Sequence, residues 1–117
     1  MSTTIYHNQN CSKSCAMVDK LQELNVEFEV VEYVTDRLTS QKLEQIIRML
    51  GIRPEALVRK NEAIYLEKFS GKNLTDQEWV EAMSEFPELI ERPIVVHGNK
   101  AAIGRPVQKV VDLFFSK

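Results

Sequence analysis

The feature that most limits what this chain can fold into lies between Thr3 and Tyr33, where a strand, a polar turn, a helix and a second strand follow one another. Thr3 to Asn8 is a short run rich in β-branched and aromatic residues, and it predicts a first strand. Asn8, Gln9 and Asn10 make a polar turn. From Cys11 to Leu24, the residues Met17, Val18, Leu21 and Leu24 recur at helical spacing, so a helix begins at Cys11. Val26 to Tyr33 alternates, with Val26, Phe28 and Val30 on one face and Glu27 and Glu29 on the other, as a second strand would. A strand, crossover helix and strand in one sheet imply a parallel pair with a right-handed connection.

The middle of the chain changes character. Thr39 can cap a helix running to about Leu50, with Leu43, Ile46, Ile47 and Leu50 inward and Gly51 ending it. Pro54 opens a short helical turn that holds Ala56 and Leu57. Thr75-Asp76-Gln77-Glu78 has the form of a capping box ahead of Trp79, Val80 and Met83. Strand character returns at Pro93 to His97, followed by a Gly98-Asn99 hairpin turn and a second arm from Lys100 to Ile103. Pro106 stands where a first helical residue would, and Val107, Val110, Val111 and Phe114 form the apolar stripe of a last helix.

The order is therefore β-α-β, a helical stretch, then β-β-α. This resembles the thioredoxin plan: an α/β fold with a four-stranded mixed sheet. Residues 1–117 read as one domain carrying a helical insertion over about 35–90. Two features favour this plan over a generic α+β arrangement. A cysteine begins the first helix, and Pro93 opens the third strand. In thioredoxin-like folds that X-Pro bond is usually cis and faces the active cysteine, which would put Arg92 beside the sulfur.

Composition narrows the function. With 15 basic and 17 acidic residues the formal net charge is -2, which argues against strong bulk attraction to nucleic acid. No apolar run approaches the roughly 18 residues that span a bilayer. The first residues lack the basic and apolar regions of a signal peptide, so a cytoplasmic protein is expected. Cys11 and Cys15 are the only cysteines, and His7 and His97 the only histidines, at spacings that match no common zinc pattern. No long apolar stripe is left over, so a monomer is expected. In a reducing compartment these two thiols read as chemistry or core filler, not as a staple.

Cys11 is the candidate nucleophile. A thiolate attacks and a thiol does not, and a free cysteine is mostly protonated at neutral pH. A helix N-terminus supplies unpaired amides and the positive end of the dipole, both of which favour the anion. The same amides suit an oxyanion brought to the sulfur, and Lys13 adds positive charge. The polar neighbours Asn10, Ser12 and Lys13 argue against a buried, inert cysteine. Cys15 lies one helical turn on. Alpha carbons four apart in a regular helix are roughly 6 Å from each other, whereas a disulfide needs Cβ atoms within about 4.5 Å. A stripe through Cys15, Val18 and Leu21 would point to the sheet. Cys15 therefore reads as a small packing residue, with a resolving thiol as the alternative.

Four segments carry a more specific signal. Ile5-Tyr6-His7-Asn8-Gln9-Asn10-Cys11-Ser12-Lys13-Ser14 resembles the start of the glutaredoxin-linked arsenate reductases. Leu57-Val58-Arg59-Lys60-Asn61, Glu91-Arg92-Pro93-Ile94-Val95-Val96 and Ile103-Gly104-Arg105-Pro106 are similar to three further segments of that family, in its order and spacing. The resemblance implies that Cys11 attacks arsenate or a related small oxyanion, that Arg59, Arg92 and Arg105 hold the oxyanion, and that His7 assists the cysteine. His7 read on its own is equally a polar strand-end residue. Guanidinium forks suit a small tetrahedral dianion and would lower the pKa of Cys11. The resemblance further implies glutathione as co-substrate, glutaredoxin as partner, and neither metal nor tightly bound organic cofactor.

The chain departs from the family pattern at two places. Gln9-Asn10 stands where a proline is usual, and Cys15 where an arginine is usual. Cys15 keeps open a glutathione-dependent thiol/disulfide oxidoreductase of unknown substrate. A Spx-type regulatory binding module is the third reading. Such modules typically carry Cys-x-x-Cys and lack the arginines, whereas Cys11 and Cys15 are one residue further apart.

Overall fold

The computed structural model describes residues 2–115. The elements run β1 (Thr3–His7), α1 (Ser12–Glu23), β2 (Glu29–Glu32), α2 (Ser40–Leu50), a 3-10 turn (Pro54–Leu57), α3 (Ala63–Lys68), α4 (Asp76–Glu85), a second 3-10 turn (Pro87–Leu89), β3 (Ile94–His97), β4 (Lys100–Ile103) and α5 (Val107–Val110), which continues as a π-helical turn, Val111–Phe115. The strands form one four-stranded sheet in the order β2-β1-β3-β4. β1 and β2 are parallel, while β3 is antiparallel to both β1 and β4. This is the mixed α/β sheet that the order of elements predicts.

Two compact units divide the chain. The first joins Met1–Asp36 to Arg92–Lys117 and contains the whole sheet. Its register explains its core. Ile5 pairs with Val95, and Val95 with Ala102, so the three side chains line up across one face. They pack with Met17 and Leu21 of α1 and Val110 of α5. The second unit is Arg37–Glu91. In it Leu43, Ile46 and Ile47 of α2, Leu57, and Trp79, Val80 and Met83 of α4 are buried. The Thr39 hydroxyl caps α2 by accepting from the Lys42 amide, and Gly51 closes it at φ 69°. The Thr75–Glu78 capping box is fully formed.

Several boundaries differ from the sequence reading, each for a local reason. β2 begins at Glu29, not Val26. Asn25 takes φ 57° after α1, its amide donates to the Gln22 carbonyl, and the Val26 amide donates to the Leu21 carbonyl. This is a Schellman closure with asparagine in the left-handed position, so Val26 belongs to the helix end. Val30 lies on the edge strand and is exposed. α1 buries Ser14, Met17 and Leu21, so that of the stripe through Cys15, Val18 and Leu21 only Leu21 is fully buried. Cys15 is half-buried. Leu50 is only half-buried at the end of α2. Pro106 is the residue before α5, in extended conformation, and not its first helical residue. α3, which the sequence reading passed over, is a short helix that buries no residue fully. Among the described residues, no helix is long and apolar enough to cross a membrane.

Candidate active site

The site of the first unit assembles where β1 gives way to α1. The Asn8 side chain accepts from the Asn10 amide, and the Asn8 carbonyl accepts from the Cys11 amide at 3.0 Å. This tight polar turn holds Cys11 in extended conformation as the residue that caps α1. Its carbonyl accepts the first helical hydrogen bond, from the Cys15 amide. Its sulfur therefore stands at the mouth of a 12-residue helix whose first turn contains no acidic side chain.

The far end of the chain supplies the cations. The Arg92–Pro93 peptide is cis, as is Arg105–Pro106; the sequence reading anticipated only the first. Arg105 donates through Nε to the Arg92 carbonyl at 2.6 Å and through Nη2 to Cys11 Sγ at 3.4 Å. One guanidinium thus ties the β3 entry, the β4–α5 turn and the nucleophile together, which needs the planar fork that only arginine has. Arg92 is itself buried. Burial pushes the Cys11 thiol up, but the Ser14 amide, the Arg92 guanidinium and the Lys13 amide outweigh it, and the thiol lies below its ordinary value.

Gly104 makes this approach possible. Its amide donates to the Pro93 carbonyl at 2.8 Å. A Cβ there would stand 2.9 Å from Met17 Sδ and 3.0 Å from Pro93 Cγ, so no larger residue fits without displacing one of them.

His7 and Ser14 form a second pair. Both are buried, with His7 Nδ1 and Ser14 Oγ 2.6 Å apart. Ser14 Oγ also accepts from the Asn8 amide at 3.0 Å. The sequence reading assigned no role to Ser14, although a hydroxyl three residues after the helix-capping cysteine is where contacts to the turn are made. Through Ser14, His7 braces both the turn and the first helical residues. Cys15 Sγ donates to the Gln9 carbonyl at 3.3 Å, on the same turn.

Arg59 belongs to the second unit. Its amide donates to the Leu89 carbonyl at 2.7 Å, and its guanidinium lies between the carboxylates of Glu62 and Glu91, 3.6 Å from each. The structure therefore gathers Cys11, Arg92, Pro93 and Arg105 at one point and His7 onto Ser14 beside it. Arg59 is held by its own acidic neighbours.

Comparison with known proteins gives the family. The ArsC family model matches residues 6–113. An uncharacterized Escherichia coli K12 protein, YfgD, is 38% identical over 93% of this chain and 93% of its own length. An arsenate reductase of Haemophilus influenzae is 34% identical over 97% of this chain and 99% of its own. The solved structure of an arsenate reductase from Vibrio cholerae superposes with a TM-score of 0.92 at 35% identity, covering 97% of this chain and 98% of that one. A family model spanning nearly the whole chain, and a neighbour that shares both fold and a third of its residues, place this protein in the ArsC family.

Proposed function

We propose that this protein reduces arsenate to arsenite, with Cys11 as nucleophile and glutathione and glutaredoxin as reductants. The observation that carries the reading is the 3.4 Å contact between Arg105 Nη2 and Cys11 Sγ at the start of α1. It puts an anion-binding fork and a lowered thiol at the same point. Arsenate reductases among the relatives support the choice of oxyanion.

The cycle runs in three steps. Cys11 thiolate attacks arsenic, an As–O bond breaks, and the departing oxygen leaves as water after protonation. Arg92 and Arg105 hold the remaining oxygens. Glutathione thiolate then attacks Cys11 sulfur. The S–As bond breaks with its electron pair on arsenic, giving arsenite and a Cys11–glutathione disulfide. Glutaredoxin thiolate takes the glutathione and releases Cys11 thiolate.

The test is arsenate-dependent NADPH consumption in an assay coupled through glutathione, glutaredoxin and glutathione reductase. Turnover should vanish in Cys11→Ser and fall about 100-fold in Arg92→Ala, the usual cost of removing one preorganised donor. An active coupling system with no arsenate-dependent rate would overturn the reading.

A second reading, thiol/disulfide exchange on another substrate, is favoured by Cys15, whose half-buried sulfur stands one turn from Cys11. Mild oxidation followed by mass spectrometry separates the two. An internal Cys11–Cys15 disulfide supports exchange, and a lone glutathione adduct on Cys11 supports the arsenate cycle.

A further inference from the structure

Cys11 caps α1 and Cys15 follows it within the first turns of the same helix. We infer that these two sulfurs together form a chelating site for trivalent arsenic, binding it as a dithiolate whose third position is filled by one oxygen or carbon group. The inference deepens the reading above, in which trivalent arsenic is the product, but the binding itself requires no turnover.

Reach is the first argument. The Cys11 carbonyl accepts from the Cys15 amide at 3.0 Å, so one helical turn joins the two residues. Side chains related in this way lie on one face of a helix, with Cβ atoms about 5–6 Å apart. A disulfide needs them within about 4.5 Å. One atom inserted between the sulfurs closes that gap, because each thiolate bond to a soft centre such as zinc adds about 2.3 Å. Both cysteines are half-buried, whereas Ser14 between them turns inward. Cys15 Sγ donates to the Gln9 carbonyl at 3.3 Å, a weak sulfhydryl contact that a bond to arsenic readily replaces.

Ligand number is the second. Zinc in proteins takes four ligands, at least three of them from the chain. Among the described residues no group of three or more histidine, cysteine or acidic side chains could hold a metal ion. His7 Nδ1 is engaged by Ser14 Oγ. Trivalent arsenic is thiophilic and makes three bonds, so two thiolates and one hydroxide complete it. A pair of thiols without a third protein ligand therefore suits arsenic better than zinc. The Cys11 thiol, held below its ordinary value, supplies the first thiolate. The second bond then forms within one molecule and gains the effective concentration of a tethered group.

Phenylarsine oxide, which is a dihydroxide in water, is the probe. Each sulfur replaces one hydroxyl on arsenic, and both hydroxyls leave as water with protons from the thiols or from solvent. Arsenic stays trivalent, so nothing is oxidised or reduced. The protein is mixed with an equimolar amount of probe, challenged with glutathione and weighed intact by mass spectrometry. The native chain should keep a single phenylarsenic group and release it to the dithiol 2,3-dimercaptopropanol. Both sulfurs of the adduct should resist iodoacetamide. Cys15→Ser should hold the probe at least about 100-fold more weakly, as the loss of a tethered second bond implies, while iodoacetamide still alkylates its Cys11. Alkylation of Cys15 in the native adduct, or equally tight retention by Cys15→Ser, overturns the proposal. Arsenate turnover without capture on both sulfurs leaves the earlier reading intact and sinks this one. Capture without turnover does the reverse.

Discussion

Arg105 binds two groups that a lysine could not hold at once, the Arg92 carbonyl and the Cys11 sulfur. Arg105→Lys should therefore keep the positive charge and still lose most arsenate turnover, measured as kcat/KM. Arg92 and Arg105 differ in what they do to the thiol. The Arg92 guanidinium favours the anion both by hydrogen bonding and by charge. Alkylation of Cys11 by iodoacetamide requires the thiolate, so its rate rises with pH until the thiol is fully ionised. In the native protein that rise should be centred below the roughly 8.5 of a free cysteine. Arg92→Ala should move it towards that value, because the thiolate loses one of the groups that favour it. Gly104→Ala asks for a methyl group where Met17 and Pro93 already stand. It should cost about 1–3 kcal/mol of stability, read from a denaturant midpoint, as overpacking does.

At the scale of elements, the helices of the second unit owe their ends to single side chains. Thr75 accepts from the Glu78 amide while the Glu78 carboxylate accepts from the Thr75 amide. Thr75→Ala should lower stability by about 1 kcal/mol, seen as a lower Tm, with Cys11 alkylation unchanged. These caps were legible in the sequence because a cap is a local pattern, and so were β1, α2, α4 and the β3–β4 hairpin. The Cys11 position was legible for the same reason. What the sequence did not disclose depends on geometry that no window of residues encodes. Asn25 in the left-handed position cuts β2 short, which alternation alone could not reveal. Ser14, not Cys15, turns to the interior, because the sheet face is met by Ser14, Met17 and Leu21. Nor does any window of residues reveal that α5 widens into a π turn at Val111, where Phe114 and Phe115 lie with ring centroids 5.3 and 5.1 Å from His97. Glu62 and Glu91 both meet the Arg59 guanidinium, and Glu91 comes from a distant stretch of chain that no local pattern ties to Arg59.

For the molecule as a whole, the defining fact is that the first unit is made from two stretches separated by Arg37–Glu91. Thr3 pairs with His97, and the chain between them must close before β1 and β3 can meet. Such non-local pairing favours refolding in milliseconds to seconds over the microseconds of a helical bundle, which stopped-flow fluorescence of Trp79 can time. A chain ended at Glu91 should still carry Cys11 but titrate it as an ordinary thiol, since β3, Arg92 and Arg105 are gone. The same separation has a consequence during synthesis. Cys11 leaves the ribosome 94 residues before the arginine that touches it. For most of translation the nascent chain exposes only a sluggish sulfhydryl, with little to offer oxidants or metals in its surroundings, and reactivity is switched on by the closing of the fold itself.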